Sequence, residues 1–166
     1  IFYASGAELF SLDTNERSPK PVRNATLPGQ PDEVRWRADG KRGLALTSTD
    51  PVTWLSLNLE TQTTSELTRT FVGPALASQR DRIIYTYEGS GGTNVSVADL
   101  DGQHWQVVAT PPNEIVRWWW PGDGTVAIGA DERADPPGYV RLFLGQQTVE
   151  PLVSSYGYNL RIKLSP

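Results

Sequence analysis

Short apolar runs recur along the chain at a near-constant spacing, and almost every one ends in a polar turn. That pattern predicts an all-β fold of four blade-sized repeats, each a four-stranded sheet, which is the sequence signature of a β-propeller. Three observations carry the expectation. Leu12, Leu59, Leu100 and Leu144 close equivalent runs at steps of 47, 41 and 44 residues. Apolar and polar residues alternate through much of each run, as in strands with two unlike faces. Polar doublets and Gly separate the runs, which is hairpin chemistry. A β-sandwich also has many short strands, but nothing in it requires them to recur at a fixed period.

Each repeat reads as an inner, a second, a third and an outer strand. The second strands are residues 1–5, 43–47, 82–86 and 125–129. The third strands, 8–12, 54–59, 95–100 and 139–144, run into turns at 13–15, 60–62, 101–103 and 145–147. Outer strands follow at 20–22, 65–68, 105–108 and 149–153. Pro21 and Pro151 fit this outermost place, since an edge strand tolerates a residue that cannot donate to the ladder. Inner strands lie at 33–36, 74–76, 115–119 and 160–164. The blades then cover 33–68, 73–108 and 115–153, with the fourth assembled from 159–166 plus 1–23. One such sheet cannot bury two apolar faces alone, whereas neighbours packed face to face can.

The hairpin between inner and second strand is the most specific local signal. Val34-Arg35-Trp36-Arg37-Ala38-Asp39-Gly40-Lys41-Arg42 resembles the repeat of TolB-type and related WD-like propellers, apolar-x-Trp/Phe-Ser-Pro-Asp-Gly-Lys. Residues 119–124 and 164–166 match it in part, while 77–81 lack both its Pro and its Gly. The resemblance spans the chain as an architecture and implies an extracytoplasmic setting (periplasmic, cell-surface or secreted). It carries over no catalytic residue and no ligand. The chain starts on a second strand and stops just after an inner one. It is therefore expected to be a single propeller domain, 1–166, closed by pairing of 160–164 with 1–5, which removes a free edge. A segment of a larger ring and a ring shared by two chains are the alternatives. The chain opens on Ile1 and contains no Met, as expected of the exposed part of a longer protein.

Composition excludes several functions. The net charge is -4, from 15 Lys+Arg against 19 Asp+Glu, whereas a domain that grips nucleic-acid phosphates should be basic. No apolar run reaches the 18 or more residues that cross a bilayer. Without Cys there is no disulfide, thiolate metal site or cysteine nucleophile. His104 is the only histidine, and it sits in a turn with no Gly-x-Ser-x-Gly elbow elsewhere. Residues 89–92 are Gly-rich but lead into a strand and lack the Lys of a phosphate loop. Asp13/Asn15 and Asp99/Asp101 have a calcium-like spacing without the full acidic loop, so they read as turn formers. Asn24 and Asn94 lie in glycosylation triplets. No catalytic residue, metal or cofactor is expected, and the chain reads as a non-enzyme.

Two features point to binding. In Trp118-Trp119-Trp120, the first and third rings share a strand face. Packing between blades is the favoured reading, and an aromatic platform of Trp118 and Trp120 for sugar rings is the other. The second feature is one face of the propeller, carrying the longer second-to-third and blade-to-blade connections. It gathers Asp32, Glu33, Asp50, Glu88, Glu114, Asp131, Glu132 and Asp135 against Arg23, Arg69 and Arg133. Long loops on a rigid scaffold are where binding concentrates, and an acidic face steers basic partners. The expected function is therefore a binding, scaffold or sensor module with a protein partner, basic in character. Carbohydrate binding, self-association and service as the accessory propeller of a hydrolase are the alternatives.

Overall fold

The computed structural model describes residues 2–13, 15, 17–18, 20, 22–37, 39–47, 52–67, 72–77, 80–89, 92–111, 113–121, 124–132 and 138–154. Among these, every regular element is a strand. The chain divides into two compact units, 1–68 and 69–166. The first unit holds a sheet of β1 (Phe2–Ser5), β2 (Glu8–Ser11) and β3 (Val22–Thr26). Its second sheet is β4 (Pro31–Trp36), β5 (Arg42–Thr47), β6 (Thr53–Asn58) and β7 (Thr63–Glu66). The second unit holds β8 (Val72–Leu76), β9 (Arg82–Gly89), β10 (Gly92–Asp99) and β11 (Gln106–Ala109) in a third sheet. A fourth sheet contains β12 (Arg117–Trp119), β13 (Val126–Asp131), β14 (Gly138–Phe143) and β15 (Thr148–Ser154). All four are antiparallel meanders in chain order.

Three of the four leucines that set the sequence period, Leu59, Leu100 and Leu144, occupy equivalent places. The backbone N–H groups of Leu59, Leu100 and Leu144 donate to the carbonyls of Lys41, Asp81 and Thr125 at 3.0, 2.9 and 3.0 Å. Each bond ties the end of a third strand to the hairpin that precedes its second strand. Asp13 and Asp101 accept from the N–H groups two residues on, at 2.9 and 3.0 Å, which is Asx-turn chemistry.

Some boundaries differ from expectation. The first outer strand is Val22–Thr26, beginning beyond Pro21, and β7 starts at Thr63 because its ladder begins opposite Asn58. β12 begins at Arg117, two residues later than expected. Glu88, expected on a connection, lies on β9, which runs on to Gly89. The inner strand expected at 33–36 begins earlier, at Pro31, so Asp32 lies on β4 and not on a connection, with a register shift between Pro31 and Glu33 that leaves it as an extra residue. The inner strand expected at 160–164, and the ring closure built on it, lie outside the described residues.

Consecutive residues are buried along β5, β6, β9 and β10, so these strands are covered on both faces. In the first unit Leu9 and Ala25 pack with Ala45, Leu55 and Leu57. In the second, Ile84, Val95, Val97 and Val108 pack with Trp118, Ala127 and Leu142. Gly43 is the cross-strand partner of Trp36, and a Cβ there would meet the Trp36 ring at 2.8 Å. Gly43→Ala should therefore cost about 1–2 kcal/mol in chemical denaturation, as the ring is displaced from its seat.

The repeat hairpin at 37–42 is locked by charge. The Arg37 guanidinium donates to Asp39 Oδ2 at 2.6 and 2.9 Å, and Lys41 N–H to Asp39 Oδ1 at 2.9 Å. Glu60, on the next turn, pairs with Lys41 at 2.8 Å and with Arg42 at 2.9 Å. The hydrogen bond from Arg37 holds the Asp39 carboxyl below its ordinary value, and those from Lys41 and then Arg42 do the same for Glu60. These lowered carboxylate pKa values contribute stability above the ordinary values of 3.8 for Asp39 and 4.5 for Glu60, and that contribution is lost as pH falls through the depressed values. Stability should decline with acid in that window, and Glu60→Gln should flatten the decline modestly, because these pairs are solvent-exposed. A thermal-unfolding series against pH checks both.

Candidate functional site

The acidic residues expected on one face are partly brought together. In the second unit the connection after β11 runs from the β9–β10 tip to the end of β13. Thr110 Oγ1 donates to Asn94 Oδ1 at 3.1 Å, Asn113 Nδ2 to Asp131 Oδ2 at 3.0 Å, and Val116 N–H to the Ala130 carbonyl at 3.0 Å. This stitching places Glu88, Glu114, Asp131 and Glu132 at the same end of the third and fourth sheets. Glu88 and Glu132 are exposed and Glu114 is half-buried. Asp131 is only 7% exposed, so it shapes the end from inside and presents little charge to solvent. Arg117, the first residue of β12, stands exposed at the same end, and sequence reasoning had not counted it there. Asp32 and Glu33 belong to the first unit. Asp32 is exposed, and Glu33 accepts from Arg35 Nε at 2.8 Å. Asp50 and Asp135 lie outside the described residues.

Trp118 and Trp120 do share a face, and it is the core face. They are 2% and 5% exposed and pack within the second unit's core, so neither ring offers a platform to a sugar. Trp118 Nε1–H donates to Thr86 Oγ1 at 2.9 Å, and Thr86 in turn donates to the Ile115 carbonyl at 2.5 Å. The single hydroxyl of a buried Thr thus accepts one bond and donates another, joining β9 to the segment that enters β12 and to β12 itself. Gly129 makes room for this: a Cβ there would meet Ile115 at 2.5 Å and Trp118 at 2.9 Å.

The other end of these two sheets carries a feature the sequence reading missed. A cleft of about 220 Å³ has Val97, Val108, Trp120 and Leu144 in its wall, with Arg80, Arg82, Gln106 and Thr125 supplying polar groups. The Arg80-x-Arg82 pair in a hairpin lacking the family's Pro and Gly was its only trace in sequence. Nearby, His104 adopts a left-handed φ of 49° and its Nδ1 lies 2.7 Å from Asp99 Oδ2. Among the described residues no three His, Asp or Glu side chains are grouped to hold a metal ion, and no helix is long and apolar enough to cross a membrane.

No protein-family model matches the chain, and no curated protein matches it. Solved structures do. A putative TolB from Agrobacterium tumefaciens is similar over 93% of this chain and 57% of its own, with a TM-score of 0.68 at 13% identity. TolB from Acinetobacter baumannii is similar over 87% of this chain and 37% of its own, with 0.63 at 18%. A chain of a nidogen/laminin complex is similar over 92% of this chain and 60% of its own, with 0.64 at 14%. The fold is a TolB-like β-propeller fold. This propeller chain spans between about a third and three fifths of the structures it resembles. At such identities the likeness speaks to the fold alone, so function has to be argued from the propeller's own residues.

Proposed function

We propose that this propeller domain is a non-catalytic protein-binding module whose acidic end, in the second unit, receives a basic segment of its partner. The observation that carries the reading is the charge balance at that end. Glu88, Glu114 and Glu132 reach solvent there, with Asp131 buried beneath them, against one described cation, Arg117, and side-chain hydrogen bonds to Asn94 and Asp131 fasten the connection between them. A fastened acidic surface raises the local concentration of cations and speeds encounter, and its effect fades with salt. One of the similar structures is a complex of nidogen with laminin, which supports a protein as the partner class. The lone histidine, exposed and engaged by Asp99, supports a non-catalytic role. An extracytoplasmic setting belongs to the same reading through the resemblance of the repeat hairpin, and fractionation of cells producing the native protein checks it.

The test is a titration with Arg/Lys-rich peptides at low and high ionic strength. Exposed charge pairs are worth about 0.2–1 kcal/mol each. Replacing Glu88 and Glu132 together by Gln should therefore weaken binding by roughly twofold to thirtyfold and reduce its salt dependence, with the unfolding midpoint unchanged. Equal affinity and equal salt dependence in the double variant would defeat the proposal.

A further inference from the structure

We infer that the cleft at the opposite end of the third and fourth sheets is a second binding site. It takes the C-terminal residue of a partner chain, with the carboxylate at the arginines and an apolar side chain on the floor. Position and charge separate it from the acidic end, so it does not rest on that reading.

The size comes first. At about 220 Å³ the cleft falls below the roughly 300–1,000 Å³ typical of small-molecule pockets, and it suits one residue. Its chemistry is divided. Val97, Val108 and Leu144 offer apolar contact. Arg80 and Arg82 bring two positive charges, and neither guanidinium has an ion pair among the described residues. Arg82 lies on the same face of β9 as Ile84 and Thr86, the face turned to the fourth sheet. Its cross-strand neighbour Asp99 has its carboxylate engaged by His104 at 2.7 Å.

A second observation points to an acceptor. Trp120 Nε1–H is buried with no hydrogen-bond partner among the described residues. A buried donor left unpaired is costly, and such groups mark places where a ligand atom belongs. A Cβ on Gly124 would come within 3.5 Å of that nitrogen, so the N–H edge of the indole abuts a glycine of the cleft wall. Two guanidinium forks and an indole N–H supply donors only. The complementary group is a planar acceptor with negative charge, which a carboxylate provides. A C-terminal apolar residue carries that carboxylate and the apolar group in a single unit, matching both halves of the cleft.

The experiment uses N-acetyl-glycyl-valine, its C-terminal amide, and a peptide blocked at both ends with one internal Glu. Each is titrated into the full chain while the indole N–H resonances are followed. The free acid should bind and shift the Trp120 signal, identified by its loss in Trp120→Phe. The amide should bind at least about tenfold more weakly, and Arg80→Gln and Arg82→Gln should each lower the free-acid affinity about threefold to tenfold. Arg80 is exposed in a turn, so its replacement keeps the test meaningful even where Arg82→Gln perturbs folding. Absence of free-acid binding, equal binding of the amide, or equally tight binding of the internal-Glu peptide would each overturn the inference. Glu88→Gln with Glu132→Gln should leave these affinities unchanged.

Discussion

Replacing Trp118 by Ala should remove about 4 kcal/mol of stability, within the range for deleting a buried aromatic ring. That is a large part of the 5–15 kcal/mol that a domain commonly has. The ring is 2% exposed and touches the core of both sheets in the second unit. Its Nε1–H also ends a chain of hydrogen bonds through Thr86 to the Ile115 carbonyl. Trp118→Phe keeps most of the apolar volume and loses the donor, so it should cost about half as much. Thr86→Val removes both roles of the hydroxyl and strands two buried polar groups, at about 1–3 kcal/mol each. Urea denaturation of the three variants separates packing from hydrogen bonding. A loss below about 1 kcal/mol for Trp118→Ala would show that the ring is not where the cluster needs it.

Gly73→Ala should be nearly as damaging, at about 3 kcal/mol. Gly73 has a φ of 55°, which costs an L-residue about 1–2 kcal/mol, and a Cβ there would collide with the backbone of Val116 and Arg117. Backbone cannot step aside as a side chain can, so overpacking adds about 1–3 kcal/mol. The site is a bulge in β8, where the register shifts between Val72 and Ala75. Its missing side chain lets the inner strand of the third sheet approach that of the fourth. Gly73→Asn is the discriminating control, because Asn tolerates the dihedral but still brings a Cβ. It should be about as unstable as Ala. Gly6, with φ 60° and nothing within 4 Å of a Cβ, should accept Asn with a change of a few tenths of a kcal/mol.

How much was legible in the sequence follows from which residues carry alternating apolar signals. β5, β6, β9, β10 and most of β13 bury side chains along their length, and their runs stand out in hydropathy. The outer strands do not. β7 is exposed at every position, and β3 contributes Ala25 alone to the described core, so register with the neighbouring strand decides their extent. Periodicity placed Trp118 and Trp120 on one face, but nothing local says whether a face meets solvent or another sheet. Asp32 read as loop because acids are poor strand formers, yet β4 carries it as the extra residue of an irregularity in its ladder with β5. The cleft was illegible because its residues come from three strands and three turns that only packing assembles.

The account as a whole depends on one repeated arrangement, in which a third strand is tied back to the hairpin ahead of its sheet. Residue-resolved amide hydrogen exchange tests it directly. The amides of Leu59, Leu100 and Leu144, bonded to Lys41, Asp81 and Thr125, should exchange far more slowly than those of Asp101 and Gly145 beside the last two. Protection should recur with the same spacing as those leucines. Fast exchange at all three amides, or protection in continuous stretches of helical length, would contradict the repeated sheets.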